Sequence, residues 1–154
     1  MDKANNASIN ELNSLLKGEN MAVDSIEKVI AHVDDGNIKN ELQKIQQNHK
    51  QHTALLADRI QDLGGAPAKG VGLGGKAAEM MSSVKDIGKT GTASHIKEIL
   101  DGENKGIQMS TELVKGDLDS DSAKLVNTIL DEDRNNVNML QEVLNSIDRQ
   151  NSTT

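Results

Sequence analysis

Leu15-Leu16-Lys17-Gly18-Glu19-Asn20 returns as Ile99-Leu100-Asp101-Gly102-Glu103-Asn104, 84 positions further along a chain of 154 residues. Both copies sit in stretches whose apolar residues recur in steps of three and four, the period of a helix with one buried face. In each copy the glutamate falls on that apolar face. A Gly-Glu-Asn shared about half a chain apart marks a duplicated unit. The surrounding sequence shows the unit to be a helical hairpin.

Around the first copy, the seam Ile9, Leu12, Leu16, Glu19, Val23, Ile26, Ile30, Val33 describes one long helix. Ser8 and Glu11 form a capping-box pattern at its start. Asp34-Asp35-Gly36-Asn37 is expected to make a tight turn, with Gly36 ending this helix and Asn37 capping the next. That helix has the seam Ile38, Leu42, Ile45, His49, His52, Leu56, Arg59, Leu63, and Gly64-Gly65 with Pro67 stops it. Around the second copy, the seam Ile96, Ile99, Glu103, Gly106, Ser110, Leu113 starts between Thr92 and Ser94 and closes at Gly116. Asp119-Ser120-Asp121-Ser122 supplies caps for a last helix with the seam Leu125, Ile129, Glu132, Asn136, Met139, Val143. The expectation is an all-α, antiparallel four-helix bundle in one domain, residues 1–154. Its helices fall near 8–34, 37–63, 93–115 and 121–148. A glycine-rich crossover, 64–92, carries a short amphipathic helix with Ala77, Met80, Val84 and Ile87 on one face.

Composition narrows the function. The chain has no Phe, Tyr or Trp, so its core is built from Leu, Ile, Val, Met and Ala, and it has no rings on which single-stranded nucleic acid could stack. A formal net charge of -7, with acids and bases interspersed, argues against a polyanionic partner. With no Cys, disulfides, thiol catalysis and thiolate metal sites are excluded. Neither an apolar leader nor a run of membrane-spanning length is visible, and the expected location is cytoplasmic, with no membrane partner.

Five ionisable residues stand on the otherwise apolar seams: Glu19, His49, His52, Glu103 and Glu132. Burying such groups unpaired is costly, so their placement is informative. Glu19 lies 14 residues before Val33 and His52 lies 14 after Ile38, which puts both at one height in the first hairpin. Glu103 and Glu132 lie at similar distances from the second turn. His49-x-x-His52 places two imidazoles on one helical face. Three carboxylates and two imidazoles converging inside a bundle are suitable ligands for iron, manganese or zinc. The alternative is a buried Glu–His hydrogen-bond network with no metal.

Helix-one and helix-three glutamates, a helix-two histidine pair, Gly64-Gly65-Ala66-Pro67 and Gly102-Glu103 together resemble the ferritin-like superfamily. The chain looks most like small bacterial ferritin-like proteins of two-hairpin type, over about residues 8–148. In that superfamily a Glu on helices one and three joins a Glu-x-x-His on helices two and four. The resemblance implies that Glu19, Glu103, His52 and Glu132 occupy ligand positions. His49 stands where the first motif has Glu, and Asn135 where the second has His. A register with Gln46-x-x-His49 is open at this stage. The implied function is metal binding, of iron or manganese and of one or two ions, in metal handling or oxidative-stress protection. A metal-free structural or interaction module is the competing reading. A bundle this poor in large apolar groups is also open to homodimerisation.

Other features read more simply. Gly70-Val71-Gly72-Leu73-Gly74-Gly75-Lys76 has the spacing of a phosphate loop, but Ala77 replaces the magnesium-binding hydroxyl and no strand precedes it, so it reads as a crossover. His32 and His95, near helix ends and off the seams, are expected to be ordinary surface or capping residues. Met80-Met81 is expected to dock on its own bundle. Asp131-Glu132-Asp133-Arg134 reads as a solvated run, Glu132 excepted, and the Arg59 head is expected to reach water.

Overall fold

The helical periods produce four long helices, described here by a computed structural model for residues 3–70 and 91–152. They are α1 (Lys3–Ile30), α2 (Gly36–Asp62), α3 (Thr92–Val114) and α4 (Ser120–Ser152). No strand occurs among the described residues. The amphipathic stretch with Ala77, Met80, Val84 and Ile87, the Met80-Met81 pair, and the glycine-lysine motif beyond Gly70 lie outside the described residues.

Two caps differ from expectation. Helix α1 starts five residues before Ser8, whose side chain is fully buried, and the Ser8 hydroxyl accepts the backbone N–H of Asp119 at 3.1 Å. Ser8 therefore ties α1 to the far turn instead of capping α1. Helix α1 already ends at Ile30, so Gly36 opens α2 instead of closing α1, and the cap there is Asp35, which accepts from the N–H groups of Asn37 and Ile38 at 2.9 and 3.1 Å. A carboxylate satisfies two orphan donors there, which Asn37 inside the first turn cannot do. Helix α2 ends as its glycines dictate. Gly64 takes φ 86°, its N–H donates to the Gln61 carbonyl, and that of Gly65 reaches back to Ile60, a Schellman closure.

Helix α1 packs on α2 and α3, and α4 packs on α2 and α3, so α1 faces α4 and α2 faces α3 across the diagonals. One apolar cluster joins Ile26, Val29 and Val33 near the end of α1 to Ile38, Leu42 and Ile45 of α2, Ile96 and Ile99 of α3, and Leu140, Val143 and Leu144 of α4. A second, at the other end, joins Leu12, Leu15 and Leu16 to Leu56, Ile60, Val126 and Ile129. Every neighbouring pair is therefore antiparallel. Helix α3 therefore starts at the opposite end of the bundle from the one where α2 stops.

Residues 65–70 lie along α1. Gly65 lies against Ile9 so closely that a Cβ there would stand 2.8 Å from Ile9 Cγ2. Asn13 then clasps the chain twice, donating to the Ala66 carbonyl at 3.1 Å and accepting the Ala68 N–H at 2.7 Å. Asn20 donates to the Gly70 carbonyl at 2.9 Å. At the same end Arg59 donates to Asp119 Oδ2 at 2.7 Å and to Ser122 Oγ at 3.0 Å, and Asp119 caps α4 through the Ser122 N–H. Arg59, partly exposed, thus links α2 to the α3–α4 turn. Burial pushes the Asp119 carboxyl up, but hydrogen bonds from Ser122, Arg59 and Ser8 outweigh it and bring the pKa down to about 2.

Candidate metal centre

Between the two apolar clusters the seams change character at one height. Glu19 of α1, His49 and His52 of α2, Glu103 of α3, and Asp133 and Asn136 of α4 are all buried there. The three-residue step from His49 to His52 is close to one helical turn, so both rings project to the same side. Their centroids lie 5.7 Å apart with the planes nearly perpendicular.

Each ring meets carboxylates on both sides. His49 Nδ1 donates to Glu19 Oε2 at 2.5 Å, and His49 Nε2 donates across the diagonal to Glu103 Oε1. His52 Nδ1 donates to the same Glu19 oxygen at 3.3 Å and lies 3.7 Å from Asp133 Oδ1. His52 Nε2 donates to Glu132 Oε2 at 2.5 Å. An ionised carboxylate can only accept, so either ring can satisfy carboxylates at both of its nitrogens only as an imidazolium.

The electrostatics agree. Burial pushes His49 down, but hydrogen bonds and charge from Glu103 and Glu19 outweigh it and hold His49 well above its usual pKa. His52 is likewise raised, with burial opposed mainly by Glu19 and then by Glu132 and Asp133. Burial pushes Glu19 up, yet the two imidazoles hold it below the usual carboxylate value. Asp133 goes the other way: burial, then the charges of Glu19 and Glu103, push its pKa up to about 7.

All five residues singled out in the sequence, Glu19, His49, His52, Glu103 and Glu132, enter one hydrogen-bonded cluster. They do not enter it equally, since the Glu132 side chain is 39% exposed at the cluster's edge. Gln46 is buried but points its amide at α1, donating to the Val23 carbonyl and to Glu27, so it belongs to a different contact.

Two readings of α4 and α3 are corrected. Asp133 is buried, not part of a solvated run, and the inward pair of α4 is Asp133-x-x-Asn136, one residue on from Glu132-x-x-Asn135. Asn135 is exposed. A signal for this was present in the sequence: the offset that carries Glu19 to Glu103 also carries His49 to Asp133 and His52 to Asn136. His95 is buried in the first turn of α3, its Nδ1 3.4 Å from Glu98 Oε2, and not at the surface. His32 is exposed as expected and donates to the Lys28 carbonyl at 3.0 Å.

Glu19, His49, His52 and Asp133 each offer a ligand atom, and these atoms lie within 4.8 Å of one another. Asp133 Oδ1 is buried with no hydrogen-bond partner, so one acceptor in this group is left unmet by the protein. Oxygen and imidazole-nitrogen donors gathered at that spacing fit a divalent transition-metal ion.

The fold that frames this cluster is ferritin-like. Its structure matches that of a dodecameric thioferritin, the bacterioferritin-related protein from Bacteroides fragilis, with a TM-score of 0.79 and 21% identity. That match covers 99% of this chain and 92% of the other. It also matches ferritin-like, diiron-carboxylate proteins from Bacillus anthracis str. Ames, with a TM-score of 0.55 and 20% identity over 94% of this chain and 99% of that one. The chain belongs to the family described as "Domain of unknown function (DUF2383)", whose profile matches residues 7–116. No curated protein matches it. Among the described residues, no helix is long and apolar enough to cross a membrane.

Proposed function

We propose that this protein binds a divalent transition-metal ion at the centre of the bundle, with iron the first candidate and manganese or zinc the alternatives. The observation that carries the reading is the buried Glu19–His49–His52–Asp133 group, with its unmet Asp133 oxygen, at one height inside a ferritin-like bundle. Glu103 and Glu132 complete the surroundings as partners of the two rings. The fold is shared with a thioferritin and with diiron-carboxylate proteins, which supports the same reading. A role in metal handling or in protection against oxidants follows if the bound ion is iron.

The residues themselves bind and orient. Glu19 and Asp133 supply negative charge, and the imidazoles supply nitrogen once their shared protons leave. The apolar clusters on either side keep water from the centre. An iron ion held there would supply redox chemistry. Binding a dication while releasing two ring protons keeps the local charge constant, which suits a site that is otherwise rich in carboxylates.

One observation favours the metal-free module: every nitrogen of His49 and His52 already has a carboxylate within hydrogen-bond or ion-pair reach. Elemental mass spectrometry of protein purified without chelator or nickel resin separates the two. Near-stoichiometric iron, manganese or zinc, absent from a Glu19→Gln/Glu103→Gln variant, supports binding. Protein that stays metal-free after incubation with ferrous iron, manganese and zinc supports the module.

A further inference from the structure

The 84-residue offset divides the centre into two corresponding sets. The first hairpin brings Glu19, His49 and His52, and the second brings Glu103, Asp133 and Asn136, all six buried. The contacts obey the same relation. Glu132 of α4 accepts from His52 of α2, and at the corresponding positions Asn48 of α2 donates to Asn136 of α4 at 2.9 Å. Such a duplicated frame offers two equivalent places for an ion. Only the first set has imidazole nitrogens. In the second, Asn136 is engaged by Asn48 and Glu103 by His49 Nε2.

The two sides of each ring also differ. Glu19 Oε2 lies 2.5 Å from His49 Nδ1 and 3.3 Å from His52 Nδ1, and Asp133 Oδ1 is 3.7 Å from the latter. The Nδ1 edges therefore face the group with the unpartnered oxygen. The Nε2 edges face outward from it, to Glu103 and Glu132. A histidine that ligates a metal through one nitrogen commonly donates the other N–H to a carboxylate, which fixes the tautomer and the ring angle.

On the basis of the metal-binding reading, we propose that the centre holds one transition-metal ion and not a pair. Its ligands are Glu19, Nδ1 of His49, Nδ1 of His52, and Asp133, while Glu103 and Glu132 position the rings from behind without touching the ion. Two carboxylates and two neutral imidazoles balance a dication and make an N2O2 donor set, which suits iron or zinc and needs no second ion. The departure of His49 and Asp133 from matching residue types is then what makes the site single: Asp133 reaches over from the second hairpin, beside His52 and opposite Glu19, to complete the set of the first.

Titration with Co2+, read by visible absorption and by metal analysis after gel filtration, tests this. The full chain is expected to bind one equivalent. Glu19→Gln and Asp133→Asn are each expected to weaken binding by at least about 100-fold, as loss of a charged ligand does, while circular dichroism shows the helices retained. Glu103→Gln and Glu132→Gln are expected to keep one equivalent, with affinity lower by about 10- to 100-fold and band positions unchanged, because the ligand set is the same. Two equivalents in the wild type overturn the single-ion proposal and leave metal binding standing. A Glu103→Gln spectrum that changes, or binding lost as completely as in Glu19→Gln, makes Glu103 a ligand and also overturns it. No Co2+ bound by the wild type, with no other divalent ion competing for the site, overturns the metal-binding reading itself.

Discussion

Asp133 pulls against the stability of the protein that contains it. In the unfolded chain its carboxyl ionises near 3.8, whereas in the bundle its pKa is about 7. Between those values the folded state holds a proton that the unfolded state has lost, so stability falls as pH rises. His49 and His52, raised above 6.5, add stability that is fully present below that value and is lost as pH climbs through their folded pKa values. Glu19, lowered, contributes stability present above 4.5 and lost as pH falls through its folded value. The metal-free protein should therefore melt at a higher temperature near pH 5 than at pH 8. Calorimetry across that range checks it, and a flat profile would contradict the network. Asp133→Asn removes the opposing charge and should stabilise the metal-free protein at pH 8 by up to about 4 kcal/mol, and by less at pH 5. Ligands must be deprotonated to bind a metal, so the gap in melting temperature between zinc-loaded and metal-free protein should widen from pH 6 to pH 8.

At the scale of the element, the registers of α1, α2 and α3 were legible because apolar spacing and the polar intruders agreed on the inward face. Helix α4 was harder. Its seam can be traced through Leu125, Ile129 and Glu132 or through Val126, Leu130 and Asp133, two faces one residue apart. The structure buries the second set together with Ile129, because Asp133 has buried imidazoles to face while Glu132 reaches the same cluster from the edge. Hydrophobic period cannot distinguish two acidic residues side by side, and only the repeat could. The caps are ambiguous for a similar reason: Ser8 looks like a cap in sequence, and only the tertiary contact with Asp119 shows its use. The crossover's hold on α1 is open to direct test. Gly65→Ala should cost about 1–3 kcal/mol in urea unfolding, since its methyl overlaps Ile9. Adding Ile9→Ala should recover part of that loss relative to the sum of the two single changes. Arg59→Ala should destabilise by about 1–3 kcal/mol by releasing Asp119 and Ser122 together, measured in the same way.

Across the whole molecule, a polar layer lies between two aliphatic clusters, and this sets what the bundle can be used for. The clusters account for the fold, and they were predictable from Leu, Ile and Val at helical spacing. The polar layer makes no comparable contribution: buried ionic groups of this kind stabilise little and are replaceable by apolar ones in terms of stability alone. Its presence at one height, on both hairpins, is the observation on which the proposed ion-binding centre rests. A bound ion should also stabilise the fold by mass action, about 2.7 kcal/mol when free metal is 100 times the dissociation constant. The most direct measurement is anomalous diffraction from crystals soaked in zinc or grown with ferrous iron, collected at the corresponding absorption edge. One peak is expected among Glu19, His49, His52 and Asp133, with Glu103 and Glu132 still on the Nε2 atoms of the rings. A centre with no peak, in which His49 still bridges Glu19 and Glu103, would contradict it.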